Sequence, residues 1–402
     1  MNYFRLGIAL FSLFSLSAGD WPQFRGIQGN GVSFDTQVPT KLNRDSILWS
    51  TDLPGRGVSS PIIMGDHVFV TCTSGTKNER LRVLSYKTSD GSLRWERQFW
   101  ATGRTMTHEK ISGATPTPVT DGQRVYALFS SNDCFALDLD GNLVWFRGLG
   151  RDYPNANNSL GMASSLVLVQ GILVAQIESQ SESFTVGLDA TKGHNLWKID
   201  RPKISNWTSP VLLRGREGLP SMVLLQTAKG LTAVNPQNGS IVWEHEDKAG
   251  VVPSSVVHDG IIYLPAQGLV ALDPSQTSGP KVLWRSPQLR VGTPSPIVSQ
   301  GRVYVLNDGG ILSCGDIQDG KRLWQVRLKG AFSATPVLAG GCLYSVNEQG
   351  LVQVIDLKSG EGPVLSEMEL GQAVIATPAI ADNSLFVRSD GKLWRIGRNS
   401  SL

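Results

Sequence analysis

Residues 296–304 read PIVSQGRVY and residues 319–324 read DGKRLW, and this stretch decides the fold. Pro296 opens a short apolar run, Gln300-Gly301 supplies a turn, and Val303-Tyr304 begins a second run. Asp319-Gly320 is hairpin chemistry, and Leu323-Trp324 closes the unit on a large apolar plate. The same grammar recurs through the chain. A Trp, preceded by Leu or Val in all but Arg94-Trp95, stands at Trp49, Trp95, Trp145, Trp197, Trp243, Trp284 and Trp324, with Leu365 in an eighth slot. A Ser/Thr-Pro step recurs at Pro61, Pro118, Pro210, Pro296, Pro336 and Pro378, and Leu166 and Ser255 fill the two remaining slots.

Each unit therefore holds four short apolar runs separated by turns such as Asp140-Gly141 and Asn238-Gly239. Strands this short cannot bury both faces within one unit. Stacked radially, each four-stranded sheet packs on its neighbours, which predicts an all-β, eight-bladed β-propeller. The tryptophans are expected between blades. The last unit has only three strands before the chain ends, and the missing one is read in Ser46–Trp49. The N-terminal strand is thus expected to complete the C-terminal blade and close the ring, removing exposed edges.

Composition agrees. Lys plus Arg number 37 against 34 Asp plus Glu, a formal charge of +3, and charged residues are 18% of the chain. No bulk charge of the kind that binds nucleic acid is present. Residues 1–19 carry one arginine, an apolar run from Leu6 to about Leu16, and Ser17-x-Gly19, the pattern of a secretory signal peptide. The expected organisation is a signal peptide over 1–19, an N-terminal extension over 20–43 and a propeller over 44–402. The mature chain is expected to be exported to the periplasm or extracellular space, soluble, monomeric and without a transmembrane span. No cysteine lies near the cleavage point, so no lipid anchor is expected there.

The unit from Pro296 to Tyr304 followed by Asp319–Trp324 resembles the pyrroloquinoline quinone (PQQ)-type propeller repeat, over about residues 44–397. That family includes quinoprotein alcohol dehydrogenases and the outer-membrane assembly protein BamB. The opening Asp20-Trp-Pro-Gln-Phe-Arg-Gly26 also resembles the start of many exported bacterial propellers of this type. The resemblance implies either a non-catalytic scaffold or a quinone-dependent oxidoreductase. The dehydrogenase branch uses adjacent bonded cysteines and calcium, whereas Cys72, Cys134, Cys314 and Cys342 are scattered here. Asp138-Leu-Asp140-Gly-Asn142 resembles the start of a calcium loop, but Leu143 and Leu149 stand where an EF-hand needs Gly and Glu. No cofactor is expected, with PQQ and calcium, or a hydrolase at the channel mouth, as the enzymatic alternative. His67, His194 and His258 fall at or beside turns and are expected to be solvated.

The irregular spacings carry the functional reading. From each Trp slot to the next Pro slot the chain takes 12 or 13 residues in six units, but 23 from Trp95 to Pro118 and 21 from Trp145 to Leu166. The loop from Phe69 to Ser85 is also long, at 16 residues, and that from Val174 to Gly187 spans 13. All four emerge on one face of blades 1–3, where insertions in repeat folds build binding surfaces. The first two hold Arg104, His108, Glu109 and Lys110, then Arg151, Asp152, Tyr153, Asn155 and Asn158. Arg104 and Arg151 could clamp an anion bidentately, and Tyr153 could stack on a sugar. These residues form the candidate site for a protein, glycan or small-molecule ligand. The competing reading is that the loops pack on each other and plug the channel.

Overall fold

The computed structural model describes residues 19–275 and 279–398; most of the expected signal segment, residues 1–18, lies outside them. The described residues form eight four-stranded antiparallel sheets arranged as the blades of a propeller. Blades 1 to 7 occupy residues 62–100, 119–148, 167–200, 211–246, 256–286, 297–327 and 337–369. Blade 8 takes three strands from 379–396 and its fourth, outermost strand from Ile47–Asp52, which pairs antiparallel with Lys392–Ile396. Ring closure by the N-terminal strand is as the sequence predicts.

The first strand of each blade lines the axis and the fourth lies outside, and burial follows. Strands two and three are buried along their length, as in Cys342–Val346. Past a bulge at their start the outer strands alternate, as in Ile241–Glu246, where Trp243 is buried and its neighbours Val242 and Glu244 are exposed.

The outer tryptophans act between blades. The indole Nε1 of Trp145 donates to the Ala190 carbonyl at 2.9 Å, and that of Trp197 to the Pro236 carbonyl at 2.8 Å. Trp49, Trp95 and Trp284 make the same bond to the next blade's last turn. The ring then lies flat against that turn's glycine. A Cβ on Gly239 would come within 2.6 Å of Trp197, and φ there is +71°. The Gly-x-x-x-Trp spacing thus pairs each glycine with the tryptophan of the preceding blade.

The closing seam also holds a buried cation. Arg388 of blade 8 donates to the Thr71 carbonyl of blade 1 at 2.7 Å and to Ser59 Oγ at 3.2 Å.

Residues 20–43 have no repeat and run across the face that carries the hairpin turns between the first and second strands. Trp21, fully buried, exchanges two backbone bonds with Ile63 of blade 1 at 2.8 and 2.9 Å. Thr120 of blade 2 donates to the Pro22 carbonyl, Arg214 of blade 4 to Ile27, and Leu338 of blade 7 to Gly31. Tyr344 Oη reaches the Val38 carbonyl at 3.1 Å. This segment covers one end of the axial channel; the long loops crown the other. Among the described residues no helix is long and apolar enough to cross a membrane.

Candidate functional site

Each innermost strand is entered through a Ser or Thr, and these eight residues form a ring around the axis. They are Ser60, Thr117, Ser165, Ser209, Ser254, Ser295, Thr335 and Thr377, all buried. At seven of the eight blade junctions, the backbone N–H of one ring residue donates to the hydroxyl oxygen of the next, at 2.9 to 3.1 Å. Six of the eight precede proline, which biases them toward extended backbone. With the pleat period of two, the residue two positions earlier also faces the axis. A second ring therefore stacks above the first: Val58, Thr115, Ala163, Trp207, Val252, Thr293, Ser333 and Ile375.

The two rings wall a chamber of about 370 Å³, within the size range of small-ligand sites. Phe24, from the N-terminal segment, is its floor. His108, Lys110, Ile111 and Leu160, from the two longest loops, stand at its mouth. Among the described residues no aspartate or glutamate lines it. Behind Phe24 lies Arg25, whose guanidinium carbon is 5.2 Å from the Phe24 ring centroid. Arg25 is buried and donates from Nη2 to the Ser255 carbonyl at 2.9 Å, while its Nε and Nη1 have no partner. Burial lowers its pKa to about 10.

A latch crosses the mouth. Lys110 Nζ donates to both carboxylate oxygens of Glu348 in blade 7, at 2.9 and 3.0 Å, and Ser333 Oγ donates to Glu348 at 2.6 Å. Burial alone would raise the Glu348 pKa, but the bonds from Ser333 and Lys110 and the lysine charge hold it below the usual value.

Of the sequence-predicted residues, His108 and Lys110 come together at this mouth, with the His108 ring accepting from the Lys110 backbone N–H at 3.2 Å. The exposed Glu109 offers its carbonyl to Arg56. Arg104 and Asn158 share a separate small cleft with Gly150, and Arg151 does not line it. Asn158 is buried, accepting from the Leu160 N–H at 3.0 Å with its Nδ2 unpartnered. Arg151 is exposed on the helical turn Leu149–Asp152, and Asp152 pairs with Arg147 at 2.7 Å. The Tyr153 ring lies 4.6 Å from Phe184, under Lys198, and its hydroxyl accepts from Asn195 at 2.9 Å. Asn155 is exposed beside a groove that includes Glu182 and Lys203. The loops thus pack on each other and also leave an open surface.

Two sequence expectations need correction or sharpening. His67 is half-buried rather than solvated: its ring stacks on Phe69 at 5.3 Å and bonds Ser85 Oγ at 2.9 Å. Burial, then the neighbouring Arg94 charge, lowers its pKa. The Asp138–Asn142 stretch is a hairpin turn, with the Asp138 carboxylate accepting from Asn142 at 2.7 and 2.9 Å. The hydroxyl ring went unread in the sequence, although the signal was there: a Ser or Thr precedes every proline slot, even where the proline is replaced.

The residues do not fit a quinone–calcium pair. Among the described residues the chamber is lined by hydroxyls and no carboxylate, and the four cysteines are free, buried and apart, with burial pushing the Cys134 and Cys314 thiols up to about 12.

Comparison with known proteins agrees with this geometry. Residues 38–243 and 265–363 match the family described as outer membrane protein assembly factor BamB. The chain is 26% identical to the BamB proteins of Alkalilimnicola ehrlichii over 211 residues and of Yersinia pestis over 160. These matches cover 52% and 37% of this chain, and 49% and 40% of those proteins, so the chain spans about half or less of the curated relatives it matches. The crystal structure of BamB from Moraxella catarrhalis superposes with a TM-score of 0.65 at 17% identity, covering 88% of this chain and 97% of that one. Quinohemoprotein alcohol dehydrogenase from Comamonas testosteroni gives 0.73 at 13% identity, over 96% and 81%. At such identity the structural likeness speaks for the fold alone. With the family match spanning most of the propeller, the chain belongs to the BamB-like PQQ_2 family of β-propellers.

Proposed function

We propose that this chain is an exported, non-catalytic scaffold that binds a protein partner on the long-loop face of blades 1–3. One observation carries the reading: the two faces are unequal. Residues 20–43 cover the turn face by bonding to blades 1, 2, 4 and 7, whereas the opposite face keeps Arg104, Met106, Arg151 and Asn155 exposed. Met106, against the Arg104 guanidinium, is 66% exposed and Leu160 44%, apolar groups beside a cation, a composition suited to a protein interface. The relatives' name, an outer membrane assembly factor, supports a protein partner and an envelope location. The test is affinity capture from the envelope fraction with the purified protein and with Arg104→Ala/Arg151→Ala/Tyr153→Ala. Loss of a specific co-purifying protein in the triple variant is expected, and undiminished capture would overturn the reading. Saturable quinone binding with dye reduction would favour an enzyme instead.

A further inference from the structure

We propose that the axial chamber is a ligand site in its own right, for a small apolar-bodied carboxylate that enters head first. The chamber shares only its rim, at His108, Lys110 and Leu160, with the partner surface, and three features of the two rings and their floor mark it as a site.

The lower ring is a set of hydroxyl donors. Where a ring hydroxyl oxygen accepts the neighbouring blade's N–H, its own O–H proton is free for another acceptor. Among the described residues none of the eight donates to a protein acceptor, although all line the chamber. Hydroxyl donors converging on one axis suit an oxyanion.

The field has the same sign. The ionisable side chains lining the chamber are His108 and Lys110. Glu348, at the rim, is already engaged by Lys110 and Ser333. Beneath the floor, Arg25 is a buried guanidinium with one carbonyl partner and two unsatisfied nitrogens. No carboxylate pairs with Arg25 among the described residues, and an uncompensated buried cation is costly. A bound anion above Phe24 would offset that cost through a short path of low dielectric.

The upper ring sets the body. Trp207, Val252, Ile375 and Val58, capped by Ile111 and Leu160, make an apolar collar above the donors. A ligand that satisfies both rings has an acceptor-rich anionic head and a flat or branched apolar tail, of a size that the chamber limits to small molecules.

The test is calorimetric titration of the purified protein with 2-naphthoate and, separately, with its neutral counterpart 2-naphthamide. Saturable binding of one naphthoate per chain, at least about tenfold tighter than the amide, is expected. Val252→Trp, which fills the collar and leaves the donors and Arg25 intact, should abolish binding. Arg25→Gln should erase the preference for the acid, and if that variant fails to fold, Val252→Trp still decides. Equal affinity for acid and amide, no saturable naphthoate binding, or binding unaffected by Val252→Trp would each overturn the proposal. None of these outcomes bears on partner capture by the outer loops, so the two readings fail separately.

Discussion

Lys110 and Glu348 are joined by two hydrogen bonds, at 2.9 and 3.0 Å, that tie the loop entering blade 2 to blade 7 across the channel mouth. They lie 238 residues apart in sequence, so only ring closure brings them together. The lysine is 54% exposed, and exposed pairs contribute little to global stability, ~0–1 kcal/mol. Lys110→Ala should therefore leave the thermal midpoint nearly unchanged while accelerating amide exchange over residues 104–112. Exchange mass spectrometry checks this, and unchanged protection would mean the loop is held by its packing instead.

The same latch has a pH dependence of definite sign. Glu348 titrates below its ordinary value of 4.5, so the latch's contribution is complete above that value and lost as pH falls through the lowered one. Intrinsic-rate-corrected exchange in the loop should rise on acidification in the wild type, and Glu348→Gln should already be fast at neutral pH.

His67 acts in a different window. Its folded pKa lies below 6.5, so its contribution is full above that value and lost as pH falls through the depressed one. Melts at about pH 7 and about pH 5 should differ less in His67→Gln than in the wild type.

Two glycines separate backbone strain from steric clash. Gly171 and Gly239 both have positive φ, +78° and +71°, but a Cβ at Gly171 meets nothing within 4 Å whereas one at Gly239 strikes Trp197. Gly171→Ala should cost about 1–2 kcal/mol from the left-handed backbone alone. Gly239→Ala should cost a further ~1–3 kcal/mol from overpacking. Denaturant midpoints compare them, and equal losses would deny the tryptophan's role as the inter-blade plate.

The closing strand gives a fifth comparison. Trp49 is buried, pairs opposite Arg395 and donates to the Thr88 carbonyl at 2.8 Å. Trp49→Ala should lose about 3–5 kcal/mol, as for other buried aromatic truncations. A loss near zero would mean that blade 8 stands without its fourth strand.

The propeller was legible because its signal is repeated: Trp324 or Pro296 alone says little, while seven tryptophans in register say much. The long loops were legible for the converse reason, since they break a period. The hydroxyl ring, Ser60 through Thr377, is in the sequence only as the residue before each punctuating proline slot, and its meaning is not local, because the bond partner lies in the next blade. The floor was illegible. Phe24 and Arg25 sit in a non-repeating segment, and nothing local indicates that this segment crosses the ring to Ser255 and Leu338. The packing of Tyr153 on Phe184 was hidden likewise, because it depends on a strand of the adjacent blade.

If partners engage the long-loop face, site-specific photocrosslinking in cells will capture them there. A photoreactive residue at Met106 or Arg151 should yield a discrete protein adduct, while one at Gln300 or Lys358, exposed on the opposite face, should yield none. Adducts from the turn-face positions, with silence at Met106 and Arg151, would contradict the account.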